Sequence, residues 1–161
     1  MLYTRLANIC DIDLISQIEQ ECFSVAEACP KDTFIKRFNQ FSNGFMVLEE
    51  DGKVIGFVDG AFTTRKKFVD EMYEVIEEFK KEGDYVAIYG IALKKEYQKK
   101  GYGAYLLNSY IEHVKKLKAK GLVLASRPRL VSFYKKSGFI DLGLSSSYHG
   151  DSSWYDMILE F

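Results

Sequence analysis

The sequence predicts one domain of the α/β or α+β class, a mixed sheet with helices on both sides, and three observations carry this. Strand-like and helix-like stretches follow one another as β, two helices, a β-hairpin, an inserted helix, then β, α, β, α, β, β. Asp51-Gly52 lies between two apolar runs, a hairpin signature, because a tight primed turn needs positive φ. The run LVLAS is apolar throughout, as suits a central strand covered on both faces. The 161 residues fit a single domain, 1–161, and show no linker, repeat or low-complexity stretch.

Leu2 to Leu6 can form a short strand. Asp11 caps a helix whose apolar stripe is Leu14, Ile15, Ile18 and Cys22. After the loop FSVAEACP, Pro30 suits the first turn of a second helix, with Phe34, Ile35, Phe38 and Phe41 on one side. The segment FMVLEEDGKVIGFVDGAF makes the hairpin. Phe68, Met72, Val75, Ile76 and Phe79 then recur with a helical period, so an amphipathic helix is expected from about 68 to 79. Asp84 to Leu93 reads as a strand. Tyr102 to Lys118 reads as a long helix burying Leu106, Leu107, Tyr110, Ile111, Val114 and Leu117, stopped by Gly121. A short helix from Leu130 to Lys136 ends at Gly138, and strands near Phe139 to Leu144 and Trp154 to Phe161 follow.

Composition narrows the function classes. An apolar fraction of 47% can build a core without a metal or disulfide staple. Twenty-two basic residues against twenty-three acidic ones leave no charge excess for a polyanion. The lysines of KKEYQKK and KKLKAK alternate with helix-core residues and read as a solvated face, so no nucleic-acid partner is expected. Cys10, Cys22 and Cys29 are odd in number and lack CxxC spacing, and His113 and His149 lie far apart, so no metal site is expected. MLYTRLANICDID is neither a secretory signal nor a myristoylation site, and no apolar run approaches the roughly 20 residues a membrane span needs. The expectation is a cytoplasmic monomer or homodimer without a membrane partner.

The informative stretch is YVAIYGIALKKEYQKKGYGAYLL, a strand running into a turn with Gln98, Gly101 and Gly103 where a long helix begins. Glycines let the backbone turn tightly and approach a ligand. The first helical amides lack internal partners and, with the macrodipole, make an anion site suited to a pyrophosphate. Lys99 and Lys100 add positive charge. A dinucleotide fingerprint would need a third glycine where Leu106 stands, and the Gly-Lys-Ser/Thr of a nucleotide-binding P-loop is absent.

The turn Gln98-x-x-Gly101-x-Gly103-Ala104, preceded by IALKKEY, resembles the acetyl-CoA motif of the GNAT N-acetyltransferases. Downstream, LVSFYKKSGF resembles the family's next motif, a short helix ending in a Gly-Phe pair, and together the two cover about half the chain. SVAEACP and LVSFY are most similar to the arylalkylamine (serotonin) N-acetyltransferases within that superfamily. The resemblance implies a mostly antiparallel sheet of about seven strands, splayed between the fourth and fifth. It implies acetyl-CoA as cosubstrate, held by fourth-strand backbone at Ile91, Ala92 and Leu93 and by the turn Gln98, Lys99, Lys100, Gly101, Tyr102, Gly103 and Ala104. Tyr134 falls on the tyrosine that protonates the departing thiolate. The Leu93 N–H is expected to stabilise the oxyanion.

The proton on the incoming ammonium is where the sequence departs from these relatives. Their fourth strand carries two histidines, replaced here by Ala87 and Tyr89. Asp59 shares a strand face with Ile55 and Phe57, should lie near Tyr89, and is expected as the substitute base; Glu49 and Glu50 are weaker candidates. Phe23, Val25, Pro30 and Trp154 are expected to wall an acceptor pocket suited to an aromatic amine. Arg127 and Arg129 at its mouth could favour an acceptor with a carboxylate or phosphate, and His149 lies on a loop that could cover the site. The expected activity is acetyl transfer to the primary amine of a small molecule, with an arylalkylamine as the nearest analogy, by direct attack without an acyl-enzyme. The alternatives are a protein N-terminal or lysine acetyltransferase and a non-catalytic acyl-CoA sensor.

Overall fold

The computed structural model describes residues 1–146 and 153–161; His149 lies outside the described residues. Seven strands form one sheet in the order β1-β2-β3-β4-β5-β7-β6. They are β1 (Leu2–Leu6), β2 (Phe45–Glu50), β3 (Lys53–Thr63), β4 (Tyr85–Leu93), β5 (Gly121–Ser126), β6 (Ile140–Leu144) and β7 (Tyr155–Glu160). Every neighbouring pair is antiparallel except β4 and β5, which run parallel. The helices are α1 (Ile12–Cys22), α2 (Lys31–Gln40), α3 (Asp70–Glu74), α4 (Tyr102–Lys116) and α5 (Val131–Lys135).

Helices cover both faces, and adjacent residues of β3 show it. The Asp59 carboxylate meets Arg37 of α2 at 3.0 Å. Its neighbour Gly60 backs onto α4, where an added Cβ would stand 2.6 Å from the Tyr110 hydroxyl. Neighbouring strand residues point to opposite faces, so α2 and α4 lie on opposite sides. Phe34, Phe45, Phe57, Phe79, Leu106, Leu107 and Tyr110 are among the largest fully buried side chains of the core between these layers.

The hairpin turn is as expected, with positive φ at Asp51 (51°) and Gly52 (83°). Several boundaries differ, for physical reasons. Asp11 stands at the start of α1, yet its carboxylate makes no cap bond there; it accepts from Arg5 at 2.7 and 2.9 Å and from Asn8 N at 2.8 Å. Pro30 precedes the first turn of α2 rather than lying in it. The expected helix over 68 to 79 is one α-turn at Asp70–Glu74 followed by a 3₁₀ turn at Ile76–Glu78, because Val75 between them is extended. Phe68, Met72 and Phe79 are nonetheless all buried, so the periodicity identified the inward face but not the helix length. The long helix is terminated not by Gly121 but near Lys118, which takes the left-handed conformation (φ 69°). Gly121 opens β5, where a Cβ would lie 2.1 Å from the Leu159 carbonyl, so its role is close strand approach.

The sheet parts between β4 and β5. The two strands pair only at Tyr85/Gly121, Val86/Leu122 and Ala87/Val123. Along the other edge of β4, the register against β3 shifts between Asp59/Gly90 and Gly60/Ile88, leaving Tyr89 as the extra, bulged residue. The parting opens a cleft that begins at this bulge.

Candidate active site

The cleft has a volume of about 280 Å³. Its lining comes from β4 (Ile88 to Ile91), the end of β5, the loop after α1, Tyr73 of α3, Tyr134 of α5, and Trp154. A wider hollow of about 590 Å³ between α4 and the C-terminal residues includes neither the glycine turn nor these groups.

One side of the cleft leads to backbone donors. Lys94 N donates to the Ile55 carbonyl of β3 at 2.8 Å. Amides alternate along a strand, so the Ala92 amide also turns toward β3, while those of Ile91 and Leu93 turn toward the gap. Of the three residues expected to hold the cosubstrate through backbone, Ala92 is therefore a spacer rather than a donor. Leu93 is held by its carbonyl, which accepts from Gln98 Nε2 at 2.9 Å and from the Cys22 thiol at 3.0 Å.

The turn that follows fits a pyrophosphate. Lys99 (φ 63°) and Gly101 (φ 86°) both adopt left-handed backbone, which swings successive amides to one side. Nothing lies within 4 Å of a Cβ added at Gly101, and at Gly103 the nearest atoms are Phe133 ring carbons at 3.4 and 3.5 Å. The first helical amide with a partner is Tyr105 N, which donates to Gly101 at 3.3 Å; those of Tyr102, Gly103 and Ala104 face off the helix end. Lys99 and Lys100 are exposed beside them.

The acid side of the reaction has one candidate. Tyr134 lines the cleft, packed edge-on against Phe133 and Phe139 with ring centroids 5.1 and 5.7 Å away. Burial alone pushes its phenol above the ordinary value, so it is held protonated as a donor.

The base candidates are redistributed. Asp59 is fully buried beneath β4 and paired with Arg37, so it does not line the cleft and cannot touch an acceptor. Tyr89 does line the cleft, but its hydroxyl donates to the Glu78 carbonyl at 3.3 Å. Its ring instead helps to cage Arg37, whose guanidinium carbon lies 4.6 Å from the Tyr89 ring centre, 5.7 Å from Phe34, 5.8 Å from Phe79 and 6.0 Å from Tyr73. Glu49 pairs with Arg5 at 2.7 Å and Glu50 bonds the Tyr102 hydroxyl, so neither lines the cleft.

Sequence reasoning missed Glu19. It is 7% exposed on the inner face of α1, and its Oε2 accepts from Cys29 N at 2.9 Å. Burial first, and the Asp59 charge besides, lift its carboxyl to about 7 against the opposing Cys29 bond and Arg37 charge. The signal was its spacing from Ile12, Ile15 and Ser16, also buried on that helix. Tyr73, likewise missed, lines the cleft and donates to the Tyr89 carbonyl at 3.1 Å, securing the bulge.

At the mouth, the acceptor expectations divide. Phe23 and Trp154 line the cleft, whereas Val25 is 97% exposed and Pro30 is exposed at the start of α2, and neither lines it. Arg127 is not available to an acidic acceptor: it pairs with Glu27 of the loop after α1 and stacks on Trp154 with its guanidinium carbon 5.0 Å from the ring centre. Arg129 lines the rim and is exposed.

A parted sheet with amides turned into the gap, beside a left-handed turn at a helix start, is an arrangement that can hold an acyl-CoA. Residues 12–139 match the Acetyltransferase (GNAT) family, to which the chain belongs; it is an N-acetyltransferase that uses acetyl-CoA. It is 25% identical over 155 residues to an N-alpha-acetyltransferase of Sulfurisphaera tokodaii, covering 91% of this chain and 85% of that protein. Its fold is similar to that of Ard1 from Thermoplasma volcanium, with a TM-score of 0.77, 21% identity, and coverage of 99% of this chain and 97% of that one. It is also similar to the GphF GNAT-like decarboxylase in complex with isobutyryl-CoA, with a TM-score of 0.85, 15% identity and 98% coverage of each chain. Among the described residues there is no group of three or more His, Cys, Asp or Glu that could hold a metal, and no helix long and apolar enough to cross a membrane.

Proposed function

We propose that the acceptor is the primary amine of a small molecule with an aromatic arm, attacking the thioester directly. The observation that carries this reading is the closure of the cleft mouth. The Glu27–Arg127 pair, backed by Trp154, ties the loop after α1 to the end of β5, leaving about 280 Å³ walled by Phe23, Tyr73, Tyr89, Tyr134 and Trp154. Such a space suits one compact aromatic amine through apolar burial and cation–π attraction.

Acetyl-CoA supplies the acyl group and a thiolate leaving group. The Ile91 and Leu93 amides hold the pantetheine side, Leu93 N–H faces the carbonyl oxygen as it gains charge, and the turn from Gln98 to Ala104 holds the pyrophosphate. Tyr134 gives its proton to the thiolate, a contribution of roughly 10²–10⁴-fold. A covalent route through Cys22 is disfavoured, since burial raises its pKa and its thiol is already spent on the Leu93 carbonyl.

A second reading is the α-amino group of a protein N-terminus, favoured by the likeness to the N-alpha-acetyltransferase of Sulfurisphaera tokodaii. Thiol release from acetyl-CoA with phenylethylamine, tryptamine, polyamines and short peptides with free N-termini separates the two. Turnover of the aromatic amines above the rest supports the first reading. Turnover of peptides alone replaces it with the second, and acetyl-CoA binding without turnover of any amine refutes both.

A further inference from the structure

Beneath the cleft floor lies a buried charge cluster that the steps above do not use. Gly90 forms part of that floor, and it is the only break in the side-chain cover between Tyr89 and Ile91. A Cβ at Gly90 would stand 3.3 Å from Asp59 Oδ1 and 3.9 Å from Glu19 Oε1. Two carboxylates from different elements thus converge behind the one position of the floor, among the described residues, without a side chain. Asp59 Oδ1 is buried and has no hydrogen-bond partner, and Glu19 is bonded through its other oxygen, to Cys29 N. An orphaned buried acceptor of this kind calls for a hydrogen-bond partner, which a water behind Gly90 would supply.

We propose that Glu19 takes the proton of the acceptor ammonium through the opening at Gly90, by way of one bridging water, and that the Asp59–Arg37 pair holds Glu19 ready for it. The acceptor N–H bond breaks, its electron pair stays on nitrogen for attack on the thioester, and the proton passes through the water to Glu19 Oε1. This rests on the acetyl-transfer reading and supplies the base that the missing histidines leave open.

The charges around Glu19 fit the role. Cys22 lies on its own helix, Cys29 on the next loop, Arg37 on α2, Asp59 on β3 and Tyr73 on α3. Asp59 raises the Glu19 affinity for a proton and Arg37 lowers it, while burial exceeds either and places the group near neutrality, where a base both accepts and returns a proton. Asp59 acts through Glu19 and is a positioning residue. Arg37 is committed to it at 3.0 Å and caged by four rings, so the cluster keeps its geometry when Glu19 changes charge.

The test compares wild type, Glu19→Gln and Gly90→Ala in thiol release from acetyl-CoA. One acceptor is phenylethylamine, an ammonium at neutral pH; the other is O-benzylhydroxylamine, of similar shape but already neutral. Glu19→Gln keeps an acceptor for Cys29 N, and Gly90→Ala closes the opening while leaving both carboxylates. Both variants should lose about 100-fold or more in kcat/KM with phenylethylamine and less than about tenfold with O-benzylhydroxylamine. The limb of the phenylethylamine pH profile near 7 should vanish in Glu19→Gln. Calorimetric binding of acetyl-CoA verifies that each variant is folded, and if Glu19→Gln fails that check, Gly90→Ala decides. Equal losses on both acceptors, or an unchanged profile, overturn the proposal while leaving the acetyl-transfer reading intact. A wild type that turns over neither acceptor, nor any other amine, overturns the reading and the proposal with it.

Discussion

Replacing Glu19 by glutamine should make the protein more stable at alkaline pH while impairing it as a catalyst. The folded protein lifts the Glu19 carboxyl from 4.5 to about 7. Each unit is worth about 1.4 kcal/mol, so holding Glu19 ionised in the fold costs roughly 3 kcal/mol. The sign follows from proton counting. Between pH 4.5 and 7 the native state binds more protons than the unfolded chain, so wild-type stability falls as pH rises through that window. Below the window the penalty is absent; above it the penalty is complete. Glutamine carries no charge at either end and keeps an acceptor for Cys29 N. Urea unfolding at pH 4.5 and pH 8 should therefore show a stability gain for Glu19→Gln that appears only at pH 8, up to about 3 kcal/mol. By thermal melting, in a chain of this size, that is roughly 6–12 °C. A gain equal at both pH values, or no gain at pH 8, would refute the assignment of Glu19 as a carboxylate strained by burial.

Further outcomes follow from the same geometry. Tyr134→Phe should lower kcat by roughly 10²–10⁴-fold and leave acetyl-CoA affinity unchanged, measured by thiol release and calorimetry. Gly101→Ala should weaken acetyl-CoA binding and cost about 1–2 kcal/mol of stability, since φ is 86° there although nothing crowds the added methyl. Arg37→Met should destabilise the fold by about 3–5 kcal/mol by stranding Asp59, and the double variant Arg37→Met/Asp59→Asn should recover much of that in urea unfolding. Arg127→Gln should lower discrimination against bulky amines, seen as a smaller ratio of kcat/KM between phenylethylamine and a long peptide, because it unties the closure formed with Glu27.

How far the sequence reaches can be judged from particular residues. The order of elements is legible because hairpin and helix signals are local: Asp51-Gly52 is seen to turn, and Tyr102–Lys116 is seen to be helical. The glycine turn is legible for the same reason, since positive φ, the helix start and nearby lysines all fall within a few consecutive residues. The base was not legible, because it depends on residues from α1, α2 and β3 meeting beneath β4. Asp59 looked suitable on its own strand, but its partner lies 22 residues away on α2. Arg37 and Glu19 each sit on the buried side of a helix among apolar neighbours, and an apolar stripe drawn only through hydrophobic residues passes over both. The same locality explains the short α3. Period counts tell which residues point inward, but an α-turn and a 3₁₀ turn joined at Val75 bury Phe68, Met72 and Phe79 as well as a continuous helix would.

The narrow seam between β4 and β5 makes the sheet mechanically two panels. One holds β1 to β4 and the other β5 to β7, stitched through the sheet at only Tyr85/Gly121, Val86/Leu122 and Ala87/Val123. Panels joined so sparingly can open as separate cooperative units, and amide exchange along the free edge of β4 should report that breathing. A molecule seated in the parting adds a second row of stitches. Whichever substrate enters first stiffens the hinge, and the second meets a body already ordered, so donor and acceptor should each tighten the other's binding beyond what their direct contact contributes.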